Sequence, residues 1–454
     1  MWWWLYAAAA LSLFTTLTLP YVGEEAVYTI TSLEMRLNQD FFVTTLYGAS
    51  YGRPPLLNWL VIPLAEILGW DRMLIASRLV TATATVLTGL VLAWLTLNLT
   101  RNRALAAFSA VVFLSGDALF YRGWLAYADS LLTLFVFGSI ACLWVAVLRR
   151  QAGWIWLAVV LVTCGFLAKV QTAYLFYGVA FVVLAADATA RRFLLSPGSI
   201  IAHAVAVAAL FAWNGYFTHG TQSTGTAVDI IQKIKSVDVG DYMNQLWAFP
   251  LETLLRFAPA SLIALYYWWH NRSAAPQESP AAFPWRTLLA ILIINYLPYW
   301  IGPKTSIRYV MPLYPLAALA LAGAIWNYGE RPRMIATRWF IGAVVLRYVI
   351  GWWIFPWYQE QYRGDYAAVA ARIAAKTGDF PLYATDVSAT GLAVSAHIDA
   401  LRYPKPYLRL PPVQWSDGFA MSYTANPELG QVSANYELGG NTLYLMCRGA
   451  ACGK

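Results

Sequence analysis

The sequence predicts a polytopic α-helical membrane protein: about eleven transmembrane helices, interfacial helices in the first outer loop, and a small C-terminal α/β domain. Three observations predict it. Of the 454 residues, 59% are hydrophobic and only 12% are charged, whereas a soluble domain carries ~25% charge. The 22 tryptophans and 28 tyrosines suit membrane–water interfaces, where amphipathic rings gather. From residue 357 onward charges and turn residues return, which divides the chain into 1–356 and 357–454. This balance excludes a disordered chain, a nucleic-acid-binding tail protein and an ordinary soluble enzyme. The net charge of +8 then reflects basic loops and a phosphate-bearing lipid ligand.

A spanning helix needs ~20 mostly apolar residues. The first such run, Trp2 to Pro20, lacks a basic leader and a cleavage site, so it reads as an uncleaved span. Further runs cover 73–98, 104–120, 129–148, 154–168, 170–187, 198–217, 246–269, 286–301, 307–326 and 335–355. The stretch 54–69 is apolar but short and holds three prolines, which suits a re-entrant or interfacial helix. Before it, Ala26, Ile30, Leu33 and Leu37 recur at helical spacing, as in an amphipathic helix lying on the outer interface. In the tail, residues 365–376 read as a helix, and Pro381–Thr385 and Thr442–Cys447 as strands. Cys447 and Cys452 could close a disulfide in an oxidising compartment or remain two free thiols.

Arginines set the orientation. With the N-terminus inside, successive inner loops carry Arg101 and Arg103, Arg149 and Arg150, Arg191 and Arg192, Arg272 and Arg286, then Arg331, Arg333 and Arg338. Residues 21–72, 116–128, 218–245, 302–306 and the tail then lie on the outer face. Arg53, Arg72, Arg122, Lys169, Lys304 and Arg308 also fall there, against the rule. An anionic ligand explains such a cluster beside outward carboxylates better than snorkelling to headgroups does.

The outward carboxylates are Glu24 and Glu25, opening the first-loop helix, and Asp129, entering the fourth span. Acids at helix starts also serve the helix dipole or cap. Placed just above a membrane, they can deprotonate an acceptor hydroxyl or hold a metal. Arg53 precedes a Pro-Pro helix start, and its fork suits phosphate. Lys169 sits between two apolar stretches, and an ionisable residue there is a functional candidate. Lys304, Arg308 and Tyr309 form the last group. There is no Walker loop, no H-E-x-x-H, no G-x-S-x-G and no C-x-x-C.

Five motifs in order resemble the C-type membrane glycosyltransferases, in the protein O-mannosyltransferase and lipid A aminoarabinose transferase branch. They are Glu24-Glu25-Ala26-Val27-Tyr28, Arg53-Pro54-Pro55-Leu56, Asp129-Ser130-Leu131-Leu132-Thr133-Leu134-Phe135, Lys169, and Lys304 with Arg308 and Tyr309 through Pro315. The resemblance spans residues 1–326. It implies an inverting enzyme of the bacterial inner membrane with its site and tail in the periplasm. The donor would be a polyprenyl-phosphate sugar, such as an undecaprenyl phosphate sugar. The acceptor would be a lipid, glycan or protein. Glu24 stands where the family has its catalytic aspartate, with Glu25 and Asp129 as further catalytic acids. Arg53, Lys169, Lys304, Arg308 and Tyr309 would hold the donor phosphate. No cofactor is required, no metal ligand set is assigned, and assistance by a divalent cation stays open. Two other classes compete: a flippase of lipid-linked sugars, which needs no outer acid pair, and a structural membrane subunit, which explains neither charge cluster.

Overall fold

The computed structural model describes the chain except residues 170, 218–238, 271–282, 304, 406 and 454, and except the side chains of Asp117, Ala118 and Asp241. The outer loop expected from 218 therefore lies largely outside the described residues, as does Lys304. In chain order the first helices are α1 (Trp2–Ser12), α2 (Glu25–Asn38), α3 (Leu56–Leu68), α4 (Met73–Thr100), α5 (Arg103–Ser115), α6 (Asp117–Arg122), α7 (Asp129–Arg149), α8 (Ala152–Ala168), α9 (Thr172–Ala185), α10 (Ala188–Leu194) and α11 (Pro197–Phe217). Tight turns link several of them. Arg101 ends α4 in the left-handed region (φ 55°), and the Asn102 side chain accepts from the amides of Ala104 and Leu105, both at 3.0 Å. That cap restarts the chain as α5 at once.

Among the described residues, five helical stretches are long and apolar enough to cross a membrane: Trp70–Thr100, Asp129–Arg149, Pro197–Phe217, Ile307–Asn327 and Glu330–Tyr362. Other expected runs take different forms. The run from Trp2 is α1 followed by a 3-10 turn, Leu13–Thr16. There Ser12 Oγ bonds back to the Ala9 carbonyl (2.6 Å) and Thr16 Oγ1 to that of Leu13 (2.9 Å), which tightens the backbone. The run 246–269 is two helices bent by 102°, with the break just before Ala260. Pro259 lies in that break and has no amide to continue the ladder. α3, at 13 residues, is a short apolar helix.

α2 does not lie open on an interface. Residues 25–35 are all buried. One side, with Ala26, Val27 and Ile30, joins the core of the tail; Tyr28, Leu33 and Met35 pack in the cluster that holds α3 and the start of α4. Asn58 of α3 donates to Thr31 Oγ1 (2.8 Å) and Ser32 Oγ (3.0 Å), fixing the two helices together.

The tail is a four-stranded sheet covered by two helices. Its strand order is β3-β4-β6-β5, with β3 (Leu382–Ala384) parallel to β4 (Gly418–Ser422) and β5 (Gln431–Leu438) and β6 (Asn441–Arg448) antiparallel. Tyr366–Thr377 and Ala389–Arg402 are the helices, the first capped by Asp365, whose Oδ1 accepts from Ala368 (2.9 Å). Cys447 and Cys452 form a disulfide that ties the end of β6 to the final turn. The first-loop hairpin, β1 (Thr45–Leu46) and β2 (Ala49–Ser50), inserts Tyr47 into this unit. The Tyr47 hydroxyl bridges the Asp386 carbonyl and Ser395 Oγ, both at 2.9 Å.

Candidate active site

The site forms where the first loop meets the end of the bundle, and a buried ion pair builds its floor. Arg78 of α4 and Glu25 of α2 are both fully buried. The guanidinium reaches Glu25 through Nε (2.9 Å) and Nη2 (2.5 Å). It also donates to the carbonyls of Thr16 (3.0 Å), Leu17 (3.2 Å), Leu19 (2.5 Å) and Pro20 (2.9 Å), and lies 4.9 Å over the Trp124 ring. The Glu25 carboxylate accepts in addition from the amides of Val22 and Ala126, each at 2.8 Å. Every strong acceptor lobe of Glu25 is therefore committed to holding residues 16–25 and 123–128 against α4.

Glu24, one residue earlier, is exposed and begins α2 with no capping bond from its side chain. Its amide donates to the Tyr127 hydroxyl (2.8 Å), and that hydroxyl donates to the Val22 carbonyl (3.3 Å). Gly23 is needed here: its φ is 60°, and a Cβ would lie 2.5 Å from Tyr127 Oη. Glu24 is thus an exposed carboxylate on a rigid mount, without an ion pair among the described residues.

Arg53 faces it from the other end of the loop. Its Nη1 donates to the Tyr28 hydroxyl (3.1 Å), and its guanidinium lies 5.1 Å over the Tyr51 ring. Thr44 Oγ1 locks its backbone by donating to the Arg53 carbonyl (2.7 Å). Burial pushes the Tyr28 phenol up to about 12, so it stays protonated beside the cation.

The second half of the site comes from the bundle. Asp129, the first residue of α7, is buried and pairs with Lys169, which ends α8. The Lys169 ammonium lies 5.5 Å from the Tyr309 ring centre, and the Arg308 guanidinium lies 5.3 Å from the same ring. Arg308 Nε is buried with no hydrogen-bond partner among the described residues. The two halves share one field, since the charges of Glu24 and Asp129 both act on Arg308 and that of Glu24 acts on Arg53. Of the residues expected from sequence, Glu24, Arg53, Asp129, Lys169, Arg308 and Tyr309 converge here, while Glu25 lies beneath as part of the floor. Among the described residues no three His, Cys, Asp or Glu side chains converge as a metal site.

Residues 5–214 match the family described as dolichyl-phosphate-mannose-protein mannosyltransferase. The whole chain superposes on ArnT from Cupriavidus metallidurans bound to undecaprenyl phosphate, with a TM-score of 0.72, 15% identity, and 99% of this chain and 98% of that one covered. The chain has the fold of this ArnT, a GT-C fold, and its first half is similar to the mannosyltransferase family. The apo form of the same ArnT gives a TM-score of 0.67 at 15% identity, covering 98% and 97%. The oligosaccharyltransferase of Archaeoglobus fulgidus gives 0.52 at 14% identity, covering 88% and 64%. In sequence, an undecaprenyl phosphate-alpha-4-amino-4-deoxy-L-arabinose arabinosyl transferase of Erwinia tasmaniensis is 28% identical over 154 residues, 32% of this chain. That match spans only 28% of the relative's length. At these identities the structural likeness is one of fold.

Within this GT-C fold, sequence reasoning missed Arg78 and Tyr127 as parts of the site, and quoted Tyr28 in the first motif without giving it a role. Arg78 did carry a signal: an arginine in the first two turns of an apolar span needs a partner, and Glu25 is the acid that supplies one. Tyr127 carried none, because its role depends on which groups meet in space.

Proposed function

We propose that this protein transfers a sugar from a polyprenyl-phosphate donor to a hydroxyl or phosphate of an acceptor, with inversion at the anomeric carbon. The observation that carries the reading is the opposition of an exposed carboxylate, Glu24, to Arg53, Lys169 and an Arg308 whose buried Nε has no hydrogen-bond partner among the described residues. Glu24 acts as base: it takes the acceptor proton as the acceptor oxygen bonds to the anomeric carbon, and the bond from that carbon to the donor phosphate breaks. An acceptor that is already a phosphate needs no such base. Arg53, Lys169 and Arg308 neutralise the departing polyprenyl phosphate, with Lys304 the fourth cation by sequence. Asp129 positions Lys169, Tyr309 spaces the two cations, and Glu25 positions Glu24 through the clamp with Arg78.

The arginine-rich inner turns support a location in a bacterial inner membrane with the site and tail in the periplasm. The undecaprenyl phosphate bound to the Cupriavidus ArnT supports that lipid as the carrier, and lipid, glycan and protein remain the acceptor classes. The test uses purified protein, an undecaprenyl-phosphate sugar and an acceptor lysate. Transfer that vanishes in Glu24→Gln supports the reading. Movement of the lipid between leaflets with no transfer overturns it.

A further inference from the structure

A second basic site lies in the tail, away from the membrane cations. A cleft of about 410 Å³ runs between the 378–383 turn and strand and the residues Arg402, Lys405, Tyr407 and Arg409. Its size falls in the range of small-molecule sites, roughly 300–1,000 Å³, and fits a mono- or disaccharide. Its walls carry Arg402, Lys405 and Arg409 against one acid, Asp379, and the rings of Tyr383 and Tyr407.

Two of the three cations, Arg402 and Arg409, are held by neighbours. Arg402 is half-buried and donates from Nη2 to Thr377 Oγ1 (2.9 Å). Arg409 lies 5.0 Å over the Tyr407 ring, and its carbonyl accepts from Ala384 (2.9 Å), so the 409 backbone extends the sheet beside β3. Among the described residues none of the three cations makes an ion pair. Asp399 lies near Arg402, but burial pushes its carboxyl up to about 8, so it does not cancel the charge at neutral pH. The cleft therefore presents three cations, two of them held, with Asp379 acting on Arg402 and Glu34 on Arg409, beside aromatic faces, the combination that recognises a sugar carrying an anionic group. It also adjoins the catalytic loop: the Arg409 methylenes lie against Gly48, in the hairpin that leads to Arg53.

We propose that this cleft binds a phosphorylated saccharide and serves as a docking site for the anionic part of the acceptor; the docking role rests on the transferase reading above. The binding itself does not, so the two fail separately. The probe is glucosamine 6-phosphate, with glucosamine as the neutral control, titrated into full-length protein whose membrane site is filled with undecaprenyl phosphate. Binding of the phosphorylated sugar that weakens at least tenfold in Lys405→Glu/Arg409→Glu supports the cleft. Both side chains are exposed, so this variant keeps the fold. Arg402→Gln is the second variant, expected to weaken binding several-fold. Equal binding of glucosamine, no binding of either sugar, or unchanged affinity in both variants overturns the proposal. Vesicles with 20% phosphatidylglycerol test the other anion source: charge reversal that abolishes vesicle binding while leaving sugar phosphate binding intact overturns it in favour of a lipid headgroup. In the transfer assay, Lys405→Glu/Arg409→Glu should raise KM for an anionic acceptor about tenfold and leave kcat unchanged. A loss of kcat alone also overturns the docking role.

Discussion

Glu24 and Glu25 are adjacent and chemically identical, yet they should fail in opposite ways when changed to glutamine. Glu24 is exposed and makes no ion pair among the described residues. Its substitution should move stability by no more than about 0.5 kcal/mol. Loss of a general base should lower turnover roughly 10²–10⁴-fold. Glu25→Gln instead leaves the Arg78 charge buried without its counter-charge, while Arg78 remains bonded to four carbonyls. Removing one partner of a buried pair costs about 3–5 kcal/mol. The assay is a thermal melt of the detergent-solubilised protein beside a transfer assay at a temperature where both variants stay folded. Glu24→Gln should melt with the wild type and be inactive. Glu25→Gln should melt several degrees lower and keep measurable turnover. If Glu25→Gln melts like the wild type but loses turnover as Glu24→Gln does, the clamp is not what Glu25 is for. A double variant, Glu25→Gln with Arg78→Met, should recover part of the loss, because the unpaired charge is gone.

Other outcomes follow from the same geometry. Arg308→Ala should weaken binding of undecaprenyl phosphate at least tenfold, measured by titration, and an unchanged affinity would remove Arg308 from the phosphate site. Tyr47→Phe deletes a hydroxyl that bridges Asp386 and Ser395; at about 1 kcal/mol per net hydrogen bond it should loosen the tail, visible as faster proteolysis of residues beyond 357. The pH dependence has a definite sign. Burial raises Glu34 to about 7 and Asp399 to about 8. The folded state then binds more protons than the unfolded one between about pH 4 and 8, so stability is greatest on the acid side and falls as pH rises through that window. Melts at pH 5 and 8.5 check this, and Asp399→Asn should flatten the difference. Equal slopes in variant and wild type would count against Asp399.

What could be read from the sequence was local or cumulative. Apolar runs, the arginine turns and the strand alternation in the tail each depend on neighbours within a few residues, and the corresponding helices and strands are present. Cations out of place under a charge rule pointed to Arg53, Lys169 and Arg308, because desolvating an ion always needs a reason. The break before Ala260 was harder to see, since the hydropathy of 246–269 is continuous across it and only Pro259 marks the point. The burial of α2 was not legible at all. Its amphipathic spacing fits a membrane surface and a protein core equally well, and the covering residues, such as Tyr366 and Leu392, lie more than 300 positions away. Glu24 and Glu25 could not be told apart for a related reason: two acids in one helical turn look equivalent until Arg78 pairs with one of them.

The cover over α2 also sets an order of events in time. The first-loop helix carries Glu24 at its start, and Ala26, Val27 and Ile30 on it are covered by a core that includes Tyr366, Val369, Leu392 and Leu443. A ribosome makes that helix early and those partners more than 300 residues later. A nascent chain stopped at residue 357 would contain each acid and cation of the site, but the face of α2 would have nothing to rest on. Assembly of the candidate site therefore waits on synthesis of the tail, and a chain terminated before it would leave that face of α2 uncovered.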